Sequence, residues 1–243
     1  MPDRLWTLVL AAGAGRRLAS LTGGTPKQFW SIDGGPSLVE STTARLGPLA
    51  SPSSTLTVID ESHKRYIQRL AEPSSLGRLV IQPADRGTAP GLLIGLAPIA
   101  LLRPDDVVLV TPSDHGVARP DLLQRAILDT AAAVRMGRAE VVLFGVTPDA
   151  ACNDYGWIRF SHDHRDRHPS IEPVTGFMEK PAPREAARLL ASGAVWNSMV
   201  LVARAAGLLN RYRRHLPELS DLFTHAYRLP PDRRARFLAE IYP

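Results

Sequence analysis

Residues 8–29 read LVLAAGAGRRLASLTGGTPKQF, and their spacing suits one kind of chemistry, the holding of a polyphosphate. An apolar run ends in Leu10, Ala11 and Ala12. Gly13, Ala14 and Gly15 then make a loop of minimal bulk, with Arg16, Arg17 and Lys27 behind it. Glycines let backbone N–H groups approach phosphate oxygens closely, and cations offset the ligand's charge. Two common phosphate signatures are absent: there is no G-x-x-x-x-G-K-[ST], and G-A-G-R-R-L lacks the third glycine of the dinucleotide fingerprint. Lysine usage marks the same place. Of 29 Lys and Arg residues only Lys27, Lys64 and Lys180 are lysines. Lys27 and Lys180 adjoin prolines, in Pro26-Lys27-Gln28 and Glu179-Lys180-Pro181. In a chain that writes its cations as arginine, these positions suggest sites that need a compact ammonium on a thin stem.

The elements that must position these residues follow from hydrophobic periodicity. Strands are expected over 5–11, 55–59, 79–82, 107–110 and 141–146, separated by helices over 37–49, 63–71, 89–102 and 121–136. Such alternation implies βαβ units and a mostly parallel sheet covered on both faces. Ligands of these sheets sit at the carboxyl ends of strands. The polar motifs fall there: the glycine loop after the first strand, residues 82–88 (QPADRGT) after the third, and Pro112-Ser113-Asp114-His115 after the fourth. Beyond Val146 the pattern changes to two strands, over 155–160 and 171–178, joined by the polar loop SHDHRDRHPS. The loop's His162, His164 and His168 alternate with Asp and Arg and read as an exposed hairpin rather than a metal site. Helices are expected over 183–190, 203–215, 217–227 and 231–242. The chain reads as a single α/β domain over 1–243 with a helical C-terminal part, its nucleotide-binding half over 1–150 and its second half over 151–243.

Composition bounds the function classes. A length of 243 residues, 44% hydrophobic and 22% charged, allows a full core. A formal charge of +5 and a pI near 9.8 permit nucleic-acid binding. Aromatic content is only 6%, however, and the one dense basic cluster, residues 211–216 (RYRRHL), reads as a solvated helix face. No nucleic-acid partner is expected. Cys152, the single cysteine, excludes an internal disulfide and a cysteine-rich metal site and fits a reducing cytoplasm. The apolar start is followed at once by Arg16 and Arg17, and cleavage there would remove the first strand, so it is not read as a secretory signal. The apolar run 91–102 contains Pro98 and falls short of the roughly 20 residues that span a bilayer. No membrane segment is expected.

Six motifs now stand in order along the chain. They are residues 10–18 (LAAGAGRRL) with Pro26-Lys27-Gln28-Phe29, residues 82–90 (QPADRGTAP), Pro112-Ser113-Asp114-His115, Tyr155-Gly156-Trp157-Ile158, residues 177–181 (FMEKP) and Trp196-Asn197-Ser198. Together they resemble the sugar-1-phosphate nucleotidylyltransferases, most closely the mannose-1-phosphate guanylyltransferases. The resemblance implies a Rossmann-like nucleotidyltransferase fold and attack of a sugar-1-phosphate oxygen on the α-phosphorus of a nucleoside triphosphate. Pyrophosphate leaves, and in the closest case mannose-1-phosphate and GTP give GDP-mannose.

The resemblance also implies residue roles. Arg17, Lys27 and Asp114 match the catalytic set: two cations on the phosphates, and a magnesium ligand. Arg16 adds charge. The nucleotide would lie along Leu10, Ala11, Ala12, Gly13, Ala14 and Gly15, with Ser113 beside it and the base read by Gln82, Gly87 and Thr88. Tyr155, Gly156, Glu179, Lys180 and Asn197 match the sugar-phosphate side. Trp196 reads as packing, and Gln28 as ordering the loop. Asp114 as a strand-end cap, and Glu179 with Lys180 as a surface ion pair, are the structural alternatives.

The chain departs from the pattern where Gly87 replaces a usual asparagine and Met199 a common glycine. In relatives a segment like Ile241-Tyr242 precedes a second metal-binding aspartate, so the chain is expected to lack a C-terminal segment, with an exposed apolar patch and a homodimer that covers it. Two further functions stay open: a pseudo-enzyme that binds nucleotide or sugar phosphate without turnover, and a basic nucleic-acid-binding protein.

Overall fold

The computed structural model describes residues 5–15, 18–161 and 171–242. Arg16, Arg17 and the stretch with His162, His164 and His168 lie outside the described residues. In chain order the elements are β1 (Leu5–Leu10), α1 (Leu38–Leu46), β2 (Thr55–Asp60), α2 (Lys64–Ile67), β3 (Arg78–Gln82), α3 (Thr88–Leu102), β4 (Val107–Pro112), α4 (Pro120–Arg135), β5 (Val141–Val146), β6 (Gly156–Phe160), β7 (Val174–Glu179), α5 (Pro183–Ala191), β8 (Val195–Arg204), α6 (Ala205–His215), α7 (Pro217–Arg228) and α8 (Pro231–Ile241).

Among the described residues all eight strands join one sheet in the order β3-β2-β1-β4-β8-β6-β7, with β5 also paired to β8. The sheet is mixed. Strands joined by helical crossovers, β1 with β2, β2 with β3 and β1 with β4, pair in parallel. Every pairing in the second half is antiparallel. Parallel pairing therefore ends at β4 instead of dominating the sheet, because β8 enters beside β4 running the other way.

The ten-residue β8 is the one strand that hydrophobic patterning misses; the helix expected from Ala203 begins at Ala205. Asn197-Ser198-Met199 interrupts the alternation of VWNSMVLVAR, and the alanines after it favour a helical reading. Tertiary pairing decides otherwise. Residues 201–204 lie against β4 and residues 195–196 against β6. β5 runs along the other side of β8, with a register shift between Leu143 and Gly145.

Alternation along the central strands sends Leu8, Val108 and Val110 to one face and Val9, Val107 and Leu109 to the other. The first face is covered by α3, α6, α7 and α8 through residues such as Leu93, Leu96, Leu209 and Phe223. The second packs on Val39, Ile127 and Val134 of α1 and α4. Pro98 lies inside α3 without ending it. A proline at this position cannot donate to the carbonyl of Ile94, and the hydroxyl of Tyr227 in α7 donates there instead, at 2.6 Å. Among the described residues no helix is long and apolar enough to cross a membrane.

Candidate active site

The loop after β1 is fixed from below by a buried glutamine. Gln28, 1% exposed, donates from Nε2 to the carbonyls of Ala11 at 2.8 Å and Gly13 at 3.0 Å. Its Nε2 also lies 3.4 Å from Nδ1 of His63, itself buried against the rings of Phe29 and Tyr66. Burial lowers the His63 pKa, with Asp60 acting the other way. Ser113 Oγ donates to the carbonyl of Leu10 at 2.9 Å and ties the ends of β1 and β4 together. The ordering role expected of Gln28 is thus visible in its bonds; the His63 contact, 35 residues away, had no local signal.

The two loop glycines differ in their surroundings. Gly15 has φ 64°, and a Cβ there would lie 2.9 Å from the backbone nitrogen of Lys27, so the loop closes tightly over the Pro26–Lys27 turn. A Cβ on Gly13 would meet no protein atom within 4 Å. Among the described residues, then, no neighbour requires glycine at 13, and the space above it is open. Ala14 is exposed, while Ala11 and Ala12 are buried.

Lys27 Nζ forms an ion pair with Oδ2 of Asp114, whose side chain is 19% exposed. The loop after β1 and the loop after β4 thereby meet through opposite charges. His115 Nε2 lies 3.9 Å from the other carboxylate oxygen. Burial lowers the His115 pKa, against the pull of Asp114. Among the described residues no group of three or more His, Cys, Asp or Glu could hold a metal. A lone, partly exposed carboxylate beside a glycine loop still fits magnesium, which takes one or two protein carboxylates and keeps water and phosphate oxygens for its other positions.

At the end of β3, Gln82 is 1% exposed, and its Oε1 is buried without a hydrogen-bond partner among the described residues. Gly87 caps α3 at φ 87° without a side-chain bond, and Thr88 opens the helix, exposed. Asp85 Oδ1 accepts from the Gly87 N–H at 3.0 Å. Arg86, unassigned by pattern, donates from Nε to the carbonyl of Tyr242 at 2.6 Å and links this loop to the end of α8.

The second cluster forms where β6, β7 and β8 meet. Gly156 pairs with Glu179, and a Cβ on Gly156 would lie 2.7 Å from Glu179 Oε2, 2.9 Å from the Phe177 ring and 3.5 Å from Asn197 Cβ. A larger residue at 156 would push these side chains aside. Lys180 follows with φ 44°, its N–H donating to the Tyr155 carbonyl at 3.3 Å. The Tyr155 ring stands edge-on to Trp196 at 4.9 Å, and Trp196 in turn to Trp157 at 6.0 Å, so Trp196 does pack between them. The β4–β8 pairing stops at Val110 opposite Leu201, so Pro112, Ser113 and Asp114 continue toward the end of the sheet that carries Asn197. The sequence-assigned residues within the described part therefore gather at one end of the sheet, in two clusters.

A sheet of this order, with a glycine loop after β1 and an acid after β4, defines a class. The nucleotidyl transferase family model matches residues 6–231, and the chain belongs to that family. Its relatives are more particular. Xanthan biosynthesis protein XanB of Xanthomonas campestris pv. campestris (strain B100) is 31% identical over 227 residues, which are 90% of this chain and 46% of that protein. Mannose-1-phosphate guanylyltransferase of Escherichia coli (strain K12) is 30% identical over 228 residues, 90% of this chain and 47% of that protein. The chain spans about half the length of these curated relatives. The crystal structure of mannose-1-phosphate geranyltransferase from Thermus thermophilus superposes with a TM-score of 0.84 at 30% identity, covering 98% of this chain and 68% of that one.

Proposed function

We propose that this chain joins a sugar-1-phosphate to a nucleoside triphosphate with release of pyrophosphate, and that its substrates are mannose-1-phosphate and GTP. The observation that carries this reading is the Lys27–Asp114 ion pair, formed across the phosphate loop at the same end of the sheet as the Gly156, Glu179 and Asn197 cluster. A sugar-phosphate oxygen forms a bond to the α-phosphorus, and the bond from that phosphorus to the pyrophosphate oxygen breaks. The attacking phosphate is already an anion, so no side chain need remove a proton. The work left to the protein is to bring two anions together and hold them in line.

Backbone N–H groups of the loop from Gly13 to Gly15 hold the triphosphate, and Lys27, with Arg16 and Arg17, offsets its charge. Asp114 would hold magnesium, which when bound neutralises charge on the phosphate oxygens. Glu179 accepts from sugar hydroxyls, Lys180 faces the sugar phosphate and Asn197 orients the sugar, with Tyr155 at the rim. Gln82 at the end of β3, with Gly87 and Thr88 at the start of α3, lines the side where the base would lie. We place the reaction in the cytoplasm, where the lone Cys152 stays reduced.

A homodimer belongs to the same reading. The face a second copy would cover is the cleft of about 900 Å³ lined by Trp6, Leu79, Pro98, Leu102, Tyr227 and Leu238.

Pyrophosphate release across a matrix of nucleoside triphosphates and sugar-1-phosphates, with magnesium, tests the proposal. Turnover that peaks with GTP and mannose-1-phosphate is expected. Nucleotide binding with no pyrophosphate from any pair would overturn it in favour of a binding protein.

A further inference from the structure

Among the described residues two non-glycine residues adopt a left-handed backbone, Lys180 at φ 44° and Met199 at φ 58°. This conformation crowds Cβ against the following carbonyl oxygen. Both belong to the same cluster: Lys180 directly follows Glu179, and Met199 lies two residues after Asn197. Strain of this kind persists where the surrounding structure over-determines it, and it gathers at sites that use it. At position 199 a glycine would adopt the same backbone freely, so the reason for methionine must lie in its side chain.

That side chain is engaged. The Met199 N–H donates to Asn197 Oδ1 at 3.0 Å, and Asn197 Nδ2 donates to Met199 Sδ at 3.3 Å. One residue thus holds both ends of the Asn197 amide in a single orientation. Asn197 Cβ lies 3.5 Å from the Cβ position of Gly156, whose other neighbours are Glu179 and Phe177. Ser198, between the two, points the opposite way, its Oγ donating to the Phe144 carbonyl at 2.6 Å. Met199 nevertheless remains 37% exposed, so its thioether stands at the open rim of the cluster and not in the core.

We propose that Met199 is a specificity-determining residue of the sugar-phosphate subsite, an apolar wall that fixes the Asn197 amide and limits the size of the sugar substituent admitted beside it. This rests on the sugar-1-phosphate reading above. A thioether has no donor and is only a weak acceptor, so the wall selects by exclusion and adds no polar recognition of its own.

Three variants separate bulk, sulfur and backbone. Met199→Leu keeps the bulk and loses Sδ. Met199→Ala loses the bulk and keeps the Cβ. Met199→Gly loses both. Each is assayed by pyrophosphate release with the hexose-1-phosphate that the wild type prefers and with the monomethyl ether of that sugar at each hydroxyl in turn. For at least one ether, Met199→Ala and Met199→Gly are expected to raise kcat/KM relative to the parent sugar by about 10- to 100-fold, the scale of one methylene in a fitted pocket. Met199→Leu should leave that ratio near the wild-type value, and KM for the nucleotide should stay unchanged in all three.

Ratios unchanged for every ether in Met199→Ala and Met199→Gly, in an otherwise active enzyme, overturn the proposal alone. A wild type inert toward every sugar-1-phosphate overturns the functional reading and this proposal with it. Thermal melts of the three variants report whether they are folded, and Met199→Leu, the mildest change, anchors the comparison.

Discussion

The two clusters at the end of the sheet are built by opposite means. On the β1–β4 side the groups that hold the loop are buried: Gln28, Ser113 and His63 are each 3% exposed or less, beneath a loop whose Gly13 and Ala14 are exposed. On the β6–β8 side the groups assigned to the ligand are side chains. Tyr155, Glu179, Lys180 and Met199 are exposed, aimed by one close approach at Gly156 and by two left-handed residues. The contrast fits the proposed ligands. A triphosphate offers the same oxygens whatever base it carries, and fixed N–H groups can serve it. A sugar is told apart by the placing of its hydroxyls, which calls for side chains. One half is made rigid from beneath, and the other is shaped at its surface.

The sharpest way to break this comparison is to remove the charge at which the two loops meet. Asp114→Asn keeps the shape and a capping oxygen but gives up the partner of Lys27 and the carboxylate a divalent cation needs. Loss of about 10²- to 10³-fold in pyrophosphate release is expected, as for removal of one preorganised electrostatic group, with a melting temperature close to wild type. Near-normal activity would return Asp114 to the role of a strand-end cap.

Gly156→Ala tests the other half. The new Cβ would fall 2.7 Å from Glu179 Oε2 and 2.9 Å from the Phe177 ring, and both of those side chains are exposed and can move. The fold should survive while the sugar site is displaced. A fall in kcat/KM for the sugar phosphate of up to about 100-fold, the scale of a displacement near 1 Å, should leave nucleotide affinity unchanged. Equal loss on both substrates would mean that the clusters are not separable.

Gln28→Ala strikes at the buried support. It leaves the carbonyls of Ala11 and Gly13 without their donor, at a cost of about 1–3 kcal/mol for unmet buried groups. Reduced stability and weaker nucleotide binding together are the expected result, read by denaturant melts and by titration with nucleotide. Loss of stability with unchanged affinity would show that the loop keeps its shape without Gln28.

These residues also show what the sequence made legible. The strand–loop–cation order of the first half was readable because each β1-, β3- and β4-type run is continuous and each motif follows its strand directly. The placing of Glu179 and Asn197 near Gly156 came from the family resemblance. The strand that brings Asn197 there, β8, was not readable, since Asn197-Ser198-Met199 breaks its alternation and its pairing partners, such as Val142, Leu143 and Trp157, lie far before it in the chain. Contacts such as Gln28 with His63 and Arg86 with Tyr242 depend on where distant segments meet, and no local spacing encodes them. Arg16 and Arg17, prominent in the sequence, lie outside the described residues, so their role stays with the proposal.

The smallest expected effect is a pH dependence that belongs to the buried side alone. His63 is 3% exposed, and burial, the largest influence on it, lowers its pKa from 6.5; Asp60, a backbone bond to Ala11 and Asp85 oppose this, and Arg65 adds to it. The folded protein therefore binds this proton less readily than the unfolded chain. Stability from the neutral ring is whole above about pH 6.5 and declines as pH falls below it, because the unfolded state takes up the proton first. His115, lowered by burial too, adds a parallel dependence. His63→Asn should consequently reduce, but not abolish, the loss of melting temperature between about pH 8 and about pH 5. Melting curves for wild type and variant that run parallel across this range would show that His63 takes no part in the acid response.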